Sequence, residues 1–140
     1  MVYDAVDHYV VLFGGVNTTT RQVYNDTWVF TGSDWIQLAL THAPSPRYGA
    51  ASTWAYAVTA SGGKDHFGYL ELFGGETRNQ TYLGDTWKFV NGSWTQLNNG
   101  VKAGPIPTAY AVMADDLIDG NPYLFAGTDG TLESDFWIYR

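Results

Sequence analysis

The chain has 140 residues, 7 basic against 14 acidic, for a formal net charge of −7. It is 45% hydrophobic, 16% aromatic and 15% charged, which is too apolar for a disordered segment and enough for one domain with a core. An acidic chain with no Lys/Arg cluster cannot displace the counterions of a phosphate backbone, so nucleic acid is excluded as a partner. No apolar run reaches about 18 residues, so no membrane-spanning helix is expected, and the absence of cysteine excludes disulfides, thiolate nucleophiles and cysteine-ligated zinc.

Sixteen glycines and a heavy load of Trp, Tyr and Phe suit short strands joined by tight turns and point to an all-β chain. Met1-Val2-Tyr3-Asp4 has neither the basic start nor the apolar run of a signal peptide, so a targeting segment would lie outside these residues. The first strand-forming run is His8-Tyr9-Val10-Val11-Leu12-Phe13, expected to end at Gly14-Gly15. A loop over Val16 to Tyr24 leads to Asn25-Asp26-Thr27-Trp28-Val29-Phe30. The turn Thr31-Gly32-Ser33-Asp34 then leads to Trp35-Ile36-Gln37-Leu38. A second loop, Ala39 to Pro46, opens into Pro46-Arg47-Tyr48-Gly49-Ala50-Ala51.

The same order then recurs. Gly68-Tyr69-Leu70-Glu71-Leu72-Phe73 runs into Gly74-Gly75, and the loop Glu76 to Leu83 leads to Gly84-Asp85-Thr86-Trp87-Lys88-Phe89. The turn Val90-Asn91-Gly92-Ser93 carries the Asn-Gly pair favoured in a two-residue hairpin, and Trp94-Thr95-Gln96-Leu97 follows. After the loop Asn98 to Ile106, a third copy is partial: Pro107-Thr108-Ala109-Tyr110-Ala111-Val112, Leu124-Phe125-Ala126-Gly127, the loop Thr128 to Glu133, and Ser134-Asp135-Phe136-Trp137-Ile138-Tyr139. Leu12, Leu72 and Leu124 mark the period, 60 and then 52 residues. Each copy reads as four short strands, a supersecondary unit that buries its faces against neighbouring copies.

A hydrophobic run into Gly-Gly, a later Asp-Thr-Trp, and a second Trp seven residues on resemble kelch repeats, and the resemblance covers essentially the whole chain. It implies a kelch-type β-propeller segment of about three four-stranded blades, at about 1–38, 47–97 and 107–140. The third copy departs from the pattern at Ala126, Phe136 and Thr108. On this resemblance Trp28, Trp87, Trp137, Trp35 and Trp94 fill the space between blades. Gly14, Gly15, Gly74 and Gly75 turn the chain and admit a neighbouring ring. Asp26, Asp85 and Asp135 bond backbone N–H groups in the turn before their strand. The first copy is expected to be short of part of its first strand and the third of its fourth. Both end blades are therefore incomplete, and the partners expected are the rest of a propeller or a second copy of the chain, with an open three-blade stack as the alternative.

Residues repeated at the same place are expected to be scaffold, and loops that differ between copies are where binding belongs. The loops present Arg21, Tyr24, His42, Arg47, Tyr48, Arg78 and Tyr82, and arginine beside aromatic rings can grip carboxylates or stack on sugars. Arg47 and Tyr48 also read as channel-lining residues of a first strand paired with carboxylates. Asp7-His8 and Asp65-His66 are positional equivalents without a second metal-ligand residue at useful spacing, so no metal site and no cofactor are expected. Asn17, Asn25, Asn79 and Asn91 begin Asn-X-Ser/Thr sequons, more than chance placement supplies, which favours a secreted or cell-surface glycoprotein.

The function expected is a non-catalytic binding or assembly module of an exported kelch-like protein that recognises a protein or a glycan, with no catalytic residue assigned. The alternative is a propeller enzyme acting on a sugar, mutarotase-like or lyase-like, to which Arg47 or Glu76 could contribute. A copper-radical oxidase of the galactose-oxidase type needs a Tyr–Cys crosslink that a cysteine-free chain lacks.

Overall fold

The computed structural model describes residues 1–58, 64–98, 100, 104–116 and 120–138, with side chains other than those of 57, 58 and 64–67. Their strands form three antiparallel sheets. The first holds β1 (Val2–Asp4), β2 (Tyr9–Asn17), β3 (Gln22–Phe30) and β4 (Trp35–Leu38) in that order. The second holds β5 (Ala51–Val58), β6 (Lys64–Phe73), β7 (Thr86–Val90) and β8 (Ser93–Asn98). The third holds β9 (Val112–Asp115), β10 (Pro122–Thr128) and β11 (Leu132–Ile138), with β11 at its edge. The leading strands lie side by side, β5 touching both β1 and β9.

Alternation along each strand decides which face is buried. In β7, Trp87 and Phe89 join Leu70 and Leu72 of β6 and meet Val11 and Val29 of the first sheet. Phe73 points the other way with Ala51 and meets Met113 and Leu124 of the third sheet. The second sheet is thus apolar on both faces, and each large side chain so buried contributes about 1.5–3 kcal/mol. Trp94 is also in the first interface: its indole N–H donates to Thr27 Oγ1 across 3.0 Å. Trp28 and Trp35, their counterparts in the first sheet, are half-buried and 44% exposed, because no sheet covers that side among the described residues.

The hairpin turns follow their residues. Asn91 and Gly92 take φ of 50° and 70°, the left-handed pair that a tight hairpin requires. The loops are shorter than the sequence implies. In the first and third sheets the strand does not end at the glycines but continues through a register shift, between Phe13 and Gly15 and between Phe125 and Gly127. Only Thr18 to Arg21 and Asp129 to Thr131 remain outside strands there.

The glycine pair does not admit a ring; it admits a backbone. Gly15 N–H donates to Arg47 O and Gly75 N–H to Thr108 O, both at 2.9 Å, while Arg47 N–H and Thr108 N–H donate back to Tyr24 O and Leu83 O. A Cβ on Gly14 would stand 2.6 Å from Arg47 O, and one on Gly74 would collide with Thr108 O. Both glycines have positive φ, so close approach and conformation together demand glycine. The segment leading into each sheet is thereby stitched to the sheet before it. Arg47 and Tyr48 belong to this stitch rather than to the first strand, which starts at Ala51. Tyr139 and Arg140 of the expected third blade lie outside the described residues.

Candidate functional site

The turns that follow β2 and β6 build one rim. Asn17 Oδ1 accepts from Thr19 N–H and Thr20 N–H, both at 3.0 Å, and this Asx turn raises Arg21 at φ 55°. In the second sheet Thr77 closes the corresponding turn: its carbonyl accepts from Gln80 N–H and its hydroxyl from Thr81 N–H. Arg78 and Asn79 lie exposed at its tip. Glu76 threads between two tyrosines, paired by backbone bridges with Tyr48 on one side and Tyr82 on the other.

These parts enclose a cleft of about 730 Å³ lined by Arg21, Tyr48, Gly49, Arg78, Asn79, Gln80 and Tyr110, among others. Tyr110 N–H donates to Gly49 O at 2.7 Å. A Cβ on Gly49 would stand 2.9 Å from the Tyr110 ring, so the glycine makes room for it. Tyr48 and Tyr110 meet edge to face, 6.3 Å between centroids, and Tyr110 Oη donates to Glu76 Oε2 across 3.4 Å. Burial, with the hydrogen bond and charge of Glu76 adding to it, pushes the Tyr48 phenol up to about 12. Burial and Glu76 raise Tyr110 as well. The tyrosines are neutral donors at physiological pH. Neither Arg21 nor Arg78 forms an ion pair among the described residues. The cleft therefore offers two uncommitted guanidinium groups beside two aromatic rings.

Of the residues singled out in the sequence, Arg21, Tyr48 and Arg78 converge here, and Tyr82 borders the cleft through Glu76. Three do not join them. His42 packs its ring on Trp87, 5.4 Å between centroids. Tyr24 sits half-buried in β3 and supplies its carbonyl to Arg47. Arg47 is 1% exposed: Nε donates to Ser45 O, Nη1 to Gly74 O and Asp85 Oδ1, and Nη2 to Ser45 Oγ and Asp85 Oδ2. All five N–H donors are engaged, which leaves none for a ligand.

Two of the three repeated carboxylates, Asp26 and Asp85, accept from indoles. Asp26 Oδ2 accepts from Trp28 Nε1 at 2.7 Å and Asp85 Oδ2 from Trp87 Nε1 at 2.6 Å; Asp135 is exposed. Tyr110 and Gln80 are cleft residues that the sequence reading missed. Tyr110 occupies the place of Gly49 in the copy alignment, and only the fold carries its ring back to Tyr48. All four sequon asparagines are exposed. The side chains of Asp65 and His66 lie outside the described residues. Among the described residues no group of three or more His, Asp or Glu could hold a metal ion, and no helix is long and apolar enough to cross a membrane. No family model matches the chain, and no curated protein matches it.

Proposed function

We propose that the chain is a non-catalytic binding module whose rim cleft takes a carboxylate-bearing ligand, an acidic glycan or an acidic peptide. The observation that carries this reading is the convergence of Arg21, Arg78, Tyr48 and Tyr110 on one open cleft, with both guanidinium groups uncommitted. Guanidinium pairs a carboxylate through two parallel N–H bonds, and a tyrosine face covers the apolar face of a sugar ring or a peptide side chain. We also read the three sheets as kelch-type blades of a propeller. The adjacency of β1, β5 and β9 and the repeated Asp–Trp and Gly–carbonyl contacts support that reading. The four exposed sequons support a secreted or cell-surface location.

The test is calorimetric titration of the chain with a glucuronate-containing oligosaccharide, its neutral glucose counterpart and a short Asp/Glu-rich peptide. At least one acidic probe should bind about tenfold more tightly than the neutral sugar. The Arg21→Ala/Arg78→Ala double variant should lose that preference. Equal binding of neutral and acidic probes, no binding of either acidic probe, or a preference unchanged in the double variant would overturn the reading.

A further inference from the structure

The rim cleft does not stop at Arg78. Beyond that side chain lies a second hollow of about 360 Å³, and the two hollows share Val23, Arg78 and Asn79 as a common wall. Together they form one trough between the turn after β2 and the turn after β6. Tyr48 and Tyr110 stand at one end of it, and Gln22, Ser45 and Pro46 at the other. The stitch from Ser45 to Gly49 runs between the two ends, with Arg47 withdrawn into the interior. Both hollows fall in the range of about 300–1,000 Å³ that small-molecule sites occupy, so the trough offers two neighbouring subsites with Arg78 at the divide.

The side chains along the trough select its occupant. Gln22, Asn79 and Gln80 are exposed, and none of their carboxamides makes a hydrogen bond among the described residues. Each carboxamide offers two N–H donors and a carbonyl acceptor, which suits the adjacent hydroxyls of a sugar. Among the described residues no Asp or Glu lines either hollow, so no carboxylate there repels an anion. An extended peptide takes main-chain hydrogen bonds from a sheet edge and pockets for alternate side chains. The groups on offer here are side-chain amides and guanidiniums beside two tyrosine rings, which match hydroxyls, carboxylates and the apolar face of a sugar. Building on the carboxylate reading of the rim cleft, we propose that the trough binds a linear acidic polysaccharide rather than a peptide. One sugar rests on the tyrosines with its carboxylate at Arg21. The chain then crosses Arg78, which takes a second carboxylate, and continues to Gln22 and Pro46.

The probes are unsulfated oligosaccharides of alternating glucuronate and N-acetylglucosamine, from disaccharide to octasaccharide, titrated calorimetrically into the whole chain. Affinity should rise at least about tenfold from the disaccharide to the hexasaccharide and then level off. In amide-resolved NMR the hexasaccharide, and not the disaccharide, should shift the resonances of Gln22 and Thr77. Gln22→Trp fills the second hollow and Pro46→Glu sets a carboxylate in it, so either should cut the gain to about threefold or less. The length series and the NMR shifts are read on the unaltered chain and stand even where a variant fails to fold. Affinity that is flat from the disaccharide upward would overturn the proposal and leave the rim cleft as a site for a short ligand. A gain undiminished in both variants, or shifts at Gln22 and Thr77 already complete with the disaccharide, would also overturn it. So would an eight-residue Asp/Glu-rich peptide bound as tightly as the hexasaccharide, or bound where no sugar is. No binding by any acidic probe would remove the rim-cleft reading as well.

Discussion

Arg47 and Asp85 meet as a two-pronged pair, Nη1 to Oδ1 at 2.6 Å and Nη2 to Oδ2 at 2.8 Å, with Trp87 Nε1 sharing Oδ2. Burial alone would raise the Asp85 carboxyl. The Arg47 and Trp87 hydrogen bonds and the Arg47 charge outweigh that and hold it below the ordinary carboxylate range. The pair joins the stitch before the second sheet to the strand that carries its core tryptophan.

Removing one partner strands the other. Asp85→Ala should destabilise the chain by roughly 3–5 kcal/mol at pH 7, because the guanidinium is left buried without its counter-charge. The pH dependence follows from the lowered carboxyl. Its contribution is complete above the unfolded carboxylate range and fades as pH falls through the folded value. The margin of wild type over Asp85→Asn should therefore shrink in acid. Urea unfolding of both proteins at pH 7 and pH 3 checks this, and a constant margin would count against the pairing.

Glu71 behaves in the opposite sense. Burial pushes its carboxyl up to about 7, the hydrogen bond from Tyr69 opposing only in part. Between the unfolded carboxylate range and pH 7 the folded chain keeps a proton that the unfolded chain has lost. Stability from this group therefore falls as pH rises through that window. Glu71→Gln should be more stable than wild type by the order of 2 kcal/mol at pH 8 and nearly equal to it at pH 4. Unfolding midpoints across that range decide it.

The tryptophans should not respond alike, although they repeat. Trp94→Ala empties a site 4% exposed and removes the bond to Thr27, for roughly 3–5 kcal/mol. Trp35 holds the same repeat position but is 44% exposed, its ring resting on Phe30 at 5.2 Å; Trp35→Ala should cost about 1 kcal/mol. Denaturant unfolding of the pair measures the difference. Comparable losses would mean that the outer side of the first sheet is covered in solution.

The strands were legible because their determinants are local. Alternating apolar residues, Asn91-Gly92 and the Asp–Trp spacing of two residues all act within a few residues of one another. The Arg47–Asp85 pair was not legible, because 38 residues separate its members. That Arg47 pairs with a carboxylate was one of its two readings in the sequence, but which carboxylate, and that Arg47 is buried in the pair, only the fold shows. The turns that carry Arg21 and Arg78 line one cleft. Tyr110 was missed because its ring reaches the cleft only through a backbone bond to Gly49 formed across 61 residues of chain.

The stitches also set a mechanical order. The second sheet is tied on both sides, Gly15 to Arg47 before it and Gly75 to Thr108 after it. Among the described residues the first and third sheets each have one such tie. The sheets are couplings in series, and a perturbation entering at either end must release one tie before it reaches the middle. Of the three sheets, the second, held by a tie on each side, would be the last to let go, with β6 and β7 still paired.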